Sequence, residues 1–202
     1  MDLGGGGGGG CHSGSFSVSS LRALWVSNSF PVLTYVHRWN NLVPLKINFC
    51  GWRAVLNRLP SKTELLKRGV GLPSPLYATC GLADESVVHL LWNCSWAKEV
   101  WGLVQLWCDL DLSRVDNIEG LLRITHGVCN SPIQVKVSNA VILSTLWLIW
   151  KNRNAHAFNN IGLSPDKVLE DIKTMSFLWV KNRGKGILVN WGSWCIFPFA
   201  VP

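Results

Sequence analysis

Acidic residues are scarce in this chain, 12 in 202, and none of the arrangements they form is catalytic. No Tyr-x-Asp-Asp sequence of the kind a polymerase uses to hold two metal ions occurs, and the carboxylates are not set out as the cluster of an RNase H or an endonuclease. Enzymatic activity is therefore not expected. A phosphate-cradling loop is also missing, because the glycine run Gly4 to Gly10 follows no strand and opens no helix. The chain has no basic segment followed by an apolar core and a cleavage site, and its 7 cysteines are an odd number. A secreted disulfide framework is excluded on both grounds, and an intracellular, reducing setting in nucleus or cytoplasm is expected. The most apolar stretch, Ala140 to Trp150, ends at Lys151. That is too short for a bilayer, which needs about 20 residues, so it reads as a buried helix with no membrane partner. Internal repeats and strand-like alternation are absent as well.

What is present points to a packed helical protein. Apolar residues make up 48% of the chain, enough to bury a core, and there are 12 tryptophans, most of which must serve as core. Met1 to about Ser20, dominated by glycine and serine, is expected to be a disordered lead-in. From Phe49 the apolar positions Phe49, Trp52, Val55, Leu56 and Leu59 recur at steps of three and four, which predicts one buried helical face ended by Pro60. Ser61 with Glu64 forms a capping-box pattern for a second short helix, stopped at Gly69. The two predict a helical hairpin with its basic side chains outward. Further helices are expected over Trp96 to Trp107, over a long segment opened by Ser131 and Pro132 and reaching about Phe158, and from Ser164 and Pro165 to Gly184. The last should bury Val168, Ile172, Met175 and Trp179. The expected fold is mostly α: a small helical domain over 21–108 with a zinc-knuckle-like loop, a polar linker over 109–130 with one short helix, and a helical region over 131–202 holding two long helices.

Charge is unevenly spread within a formal net charge of +7. Between Pro44 and Arg68 six bases, Lys46, Arg53, Arg58, Lys62, Lys67 and Arg68, face one acid, Glu64, whereas Asp84 to Glu119 holds seven acids and two bases. The early segment is the candidate phosphate-facing surface. The candidate metal ligands come after it in the chain. Cys80, His89 and Cys94 are spaced Cys-x8-His-x4-Cys, and thiolates with an imidazole are the donors a tetrahedral zinc ion prefers.

The stretch from Trp39 to Trp101, with Val43-Pro44-Leu45-Lys46-Ile47, Trp52-Arg53, Asn57-Arg58-Leu59-Pro60-Ser61-Lys62, Cys80-Gly81, Glu85, His89-Leu90, Cys94 and Val100-Trp101, resembles the reverse transcriptase zinc-binding domain of plant non-LTR retroelements. Phe16 to Leu21 is similar to that family's lead-in, and Trp147 to Asn154 to the segment C-terminal of the domain. The resemblance implies a zinc cofactor held by a Cys-x2-Cys pair with a later His and Cys, and RNA or DNA as partner, with no small-molecule substrate. The place of the first cysteine falls on Tyr77 here, and a neutral phenol is a poor zinc ligand beside a thiolate. The sequence leaves three arrangements open: zinc with water at the fourth position, recruitment of Asp84, Glu85 or Cys108, or a lapsed site in a fold that leans on its tryptophans. It also leaves three roles open, namely a nucleic-acid-binding accessory module, a relic of a truncated retroelement, and a protein-interaction module.

Overall fold

In the computed structural model, residues 37–124, 129 and 131–199 are described. The expectation for the glycine-rich lead-in, and the first residues of the domain expected over 21–108, lie outside them. The described elements are α1 (Leu45–Val55), α2 (Lys62–Lys67), a single π-helical turn (His89–Asn93), α3 (Ser95–Cys108), α4 (Ile118–Arg123), α5 (Pro132–Asn159), α6 (Pro165–Arg183) and α7 (Trp191–Ile196). No strand occurs among the described residues, and the one β feature is an isolated antiparallel bridge between Leu76 and Asp84. The mostly helical expectation with two long helices is met.

The two long helices begin where their capping residues stand. Ser131 Oγ accepts from the Gln134 amide at 3.2 Å and Ser164 Oγ from the Lys167 amide at 3.4 Å, each with proline in the first turn. Asn160, at φ 54°, ends α5 in the left-handed region, and Gly184 closes α6.

α5 is the central element, with α6, α1, α4 and the π turn packed around it. Val137, Ala140 to Leu143, Leu146, Leu148 and Ile149 are all buried, so the middle of the helix is covered on nearly every side and its apolar character is that of a core helix, while its two ends reach solvent. By length and composition its 28 residues would suffice to cross a membrane, more than the 11-residue reading suggested, yet 67% of its apolar window is buried inside the protein.

α1 departs from expectation. It buries Ile47, Asn48, Cys50, Gly51 and Ala54, while Phe49 is exposed and Trp52 only half-buried. The small face wins because it permits close approach to α5: a Cβ on Gly51 would stand 2.5 Å from Leu143 Cδ2. The bulky residues are left outside as an edge-to-face series, Trp39 to Phe49 at 5.0 Å and Phe49 to Trp52 at 6.1 Å. The helix also stops at Val55, ahead of Pro60, because Asn57 turns left-handed at φ 52°. α1 therefore packs on α5, and the expected hairpin with α2 does not form an extensive contact.

Residues 109–124, expected as polar linker, bury Leu110, Leu112, Ile118, Leu121 and Leu122, and α4 lies against α5 and α1. At the other end, Trp194 fits between Trp107 and Phe177, with ring centroids 6.1 and 5.9 Å away. Trp107 Nε1 donates to Trp194 O at 2.9 Å and Trp194 Nε1 to Lys173 O at 3.1 Å, so both polar edges are satisfied in the core. In α6, Val168 and Ile172 are buried as expected, joined by Phe177 and Val180; Met175 and Trp179 are half-buried.

Candidate metal centre

The site is built by two short segments that α5 holds in place. The first, Leu76 to Asp84, doubles back on itself: Tyr77 donates its amide to Ala83 O at 2.8 Å and Gly81 to Tyr77 O at 2.7 Å. Gly81 sits at φ 65°, which a glycine adopts without strain. This tight turn presents Cys80.

The second segment presents His89 and Cys94. In an ordinary α-helix, five residues rotate the chain by about 500°, leaving two such side chains about 140° apart. Here the Cys94 amide donates to His89 O at 2.8 Å, an i→i+5 bond that widens the turn and brings the two onto one side. Ser86 Oγ accepts from the His89 amide at 3.1 Å, and Trp101 Nε1 donates to Leu91 O at 2.8 Å, so the unusual turn is pinned at both ends.

The result is a three-donor cluster. The ligand atoms of Cys80, His89 and Cys94 all lie within 4.8 Å of one another, the one such His, Cys or carboxylate group among the described residues. Cys80 Sγ is 3.3 Å from His89 Nε2. Tetrahedral zinc would set sulfur and nitrogen about 3.5 Å apart and two sulfurs about 3.8 Å apart, so little rearrangement is needed. Burial lowers the His89 pKa, which keeps the imidazole neutral with a lone pair to donate. Burial raises the Cys94 pKa; the Trp96 and Ala97 amides at the start of α3 oppose it, and the Cys80 thiol adds to it. A divalent cation would reverse that balance by stabilising thiolate.

Tyr77 stands beside the three-donor cluster. Its ring stands edge-on to His89 at 5.8 Å, and the residue is only 1% exposed. Burial pushes its phenol up to about 12, with Thr79 opposing and Cys94 and Glu85 adding to the rise. Neither the Tyr77 nor the Thr79 hydroxyl has a hydrogen bond of sound geometry, although both oxygens are buried.

The other candidates for a fourth ligand do not join the group. Cys108 closes α3, about 20 Å along the helix from Cys94 at 1.5 Å per residue. Asp84 is exposed. Glu85 is buried and fully engaged: its Oε1 accepts from Arg153 Nε at 2.9 Å, from Arg153 Nη2, and from the Lys62 amide at 3.0 Å, while its carbonyl accepts from the Thr63 amide at 3.2 Å. Arg153 comes from the second half of α5, and it too is buried. Its burial carried no clear sequence signal, because Arg153 follows the apolar stretch in the polar run Lys151-Asn152-Arg153-Asn154, where a solvated charge is the ordinary expectation.

The six bases proposed to face phosphate are mostly exposed, but several already have internal partners. Lys62 Nζ donates to Leu76 O at 2.7 Å, Lys67 pairs with Glu64 at 2.7 Å, and Arg53 donates through Nε and Nη2 to Arg58 O. Lys46 Nζ lies over the Trp147 ring, 5.5 Å from its centroid. Arg58 and Arg68 are exposed.

Residues 16–101 match the model of a family described as zinc-binding in reverse transcriptase. That span contains all three donors and Tyr77 and is less than half of the 202 residues. No curated protein and no solved structure matches the chain. The matched description concerns metal binding, and it covers the stretch that carries the three-donor cluster.

Proposed function

We propose that the chain is a non-catalytic, zinc-binding accessory module, descended from the reverse transcriptase of a plant-type non-LTR retrotransposon, that engages RNA or DNA. The observation that carries the reading is the meeting of Cys80, His89 and Cys94 within 4.8 Å inside the segment that matches the zinc-binding family. Cys80, His89 and Cys94 would hold the ion, and zinc would supply a cross-link between the Cys80 turn and the π turn. The chain's own residues do the rest. Gly81 lets the first turn close, the His89 to Cys94 backbone bond sets the second, and the Glu85 carboxylate ties both to α2 and α5. The intended product of this rigidity is a fixed display of basic side chains to a phosphate backbone.

Two measurements test the reading. Purified protein should retain about one zinc per chain by inductively coupled plasma mass spectrometry, and a Cys94→Ala variant should lose it. Binding to a labelled nucleic acid at low salt should fall when a chelator removes the ion. Protein that is folded and metal-free after expression in zinc, or that ignores both RNA and DNA at low salt, would falsify the corresponding half.

A further inference from the structure

Acids are missing from three separate stretches of the chain, residues 3–63, 120–165 and 172–202. Hydrogen bonds gather parts of all three at one end of the helical core. Asn40 exchanges bonds with Asn48, its amide donating to Oδ1 at 2.8 Å and its carbonyl accepting from Nδ2 at 2.9 Å, so the segment before α1 is locked onto the helix. Asn40 Nδ2 then donates to Lys136 O at 2.7 Å and to Asn139 Oδ1 at 3.0 Å, tying this segment to the start of α5. Arg183 Nη1, at the end of α6, donates to Val43 O at 3.3 Å.

The bases carried by these joined segments, Arg38, Lys46, Lys136, Arg183 and Lys185, are all exposed, and none has an ion pair among the described residues. We propose that these five residues, gathered from three sequence segments, form a composite phosphate-binding face that is the main nucleic-acid contact of the module. This rests on the nucleic-acid reading above and relocates its interface. Four of the five lie outside the set that sequence spacing singled out, and three lie beyond the matched segment. Clustered cations without carboxylate partners repel one another and favour a polyanion with regularly spaced charges. Lys46 Nζ stands over the Trp147 ring, about three turns along α5 from Lys136, and so extends the face along that helix. Lys62, Lys67 and Arg53 of the earlier set spend donors internally, whereas among the five only Arg183 does so within the described residues, through its one bond to Val43 O.

The test uses the full zinc-loaded chain and fluorescence anisotropy with two probes, a 20-base-pair DNA duplex and an RNA hairpin, from about 50 to 200 mM salt. Lys136→Glu with Lys185→Glu is compared with Lys67→Glu with Arg68→Glu, two pairs that alter net charge equally. The first pair should weaken binding at least about tenfold and flatten the slope of log K against log salt by about 2; the second should weaken it less than threefold. Lys136→Gln with Lys185→Gln should give an intermediate loss, and unchanged melting by circular dichroism confirms folding. The probe with the larger loss identifies RNA or DNA as the source of the phosphates. Equal losses from both charge-reversed pairs, or a greater loss from the second, overturn the composite face while leaving nucleic-acid binding intact. A wild-type chain that binds neither probe, or only anionic lipid vesicles, overturns the nucleic-acid reading and this face with it.

Discussion

Replacing Tyr77 with cysteine should make the protein less stable without metal and bind zinc more tightly. Tyr77 is 1% exposed, so trimming it to a thiol removes most of a buried ring, about 3 kcal/mol on the scale of large-to-small core changes. The lost hydroxyl returns part of this, because it is buried without a sound hydrogen bond and such a group costs about 1–3 kcal/mol. The apo variant should therefore be roughly 1–2 kcal/mol less stable than wild type. With zinc the sign reverses. A four-ligand site of cysteine and histidine is worth about 10–16 kcal/mol, so a fourth thiolate contributes about 3 kcal/mol, or about a hundredfold in affinity. Competition against a chromophoric chelator gives the affinity, and thermal melts with zinc and with chelator give the two stabilities. The two melting curves should cross: variant below wild type in chelator, above it in zinc. An affinity equal to or weaker than wild type, in a variant that remains folded, would refute the claim that Tyr77 occupies a former ligand position.

Three further expectations concern the scaffold. Arg153→Met strands the Glu85 carboxylate in the core and should cost about 3–5 kcal/mol, whereas combining it with Glu85→Gln should cost markedly less; urea denaturation of both variants checks this, and equal losses would show that the pair is not coupled. Burial lifts the Cys50 thiol from its ordinary 9.0 to about 12, with Arg53 opposing. Because the folded value is raised, this contribution is intact below pH 9 and is lost as pH climbs from 9 to 12, up to about 4 kcal/mol; Cys50→Ala should make the alkaline fall in stability shallower, and an unchanged profile would exclude Cys50 as a cause. Gly51→Ala should destabilise by about 1–3 kcal/mol despite alanine's better helix propensity, since its methyl meets Leu143 in a filled core; a raised melting temperature would show that α5 yields.

Helix ends with chemical markers were legible in the sequence. Ser131-Pro132 and Ser164-Pro165 opened α5 and α6 where expected, because a hydroxyl acceptor and a proline act locally. The convergence of Cys80, His89 and Cys94 was legible from donor type and spacing, although the π turn that achieves it has no residue signature. The buried face of α1 was not legible. Two stripes coexist there, one of Phe49, Trp52 and Val55 and one of Ile47, Cys50, Gly51 and Ala54, and only the partner helix selects the smaller. The same holds for charge. Counting bases between Pro44 and Arg68 could not show that Lys62 and Lys67 are occupied, nor that Lys136 and Arg183 belong to segments that touch the residues just before α1.

The Glu85 to Arg153 contact has a bearing on where this protein can be divided. The matched segment ends at residue 101, yet the counter-ion that neutralises its buried carboxylate arrives from the far half of the longest helix, well past that boundary. A fragment trimmed to the recognisable portion would strand a charge beside its own metal loop. Recurring residue patterns thus mark off less than the smallest piece able to stand alone, and the less familiar half of the polypeptide is a structural creditor of the familiar one.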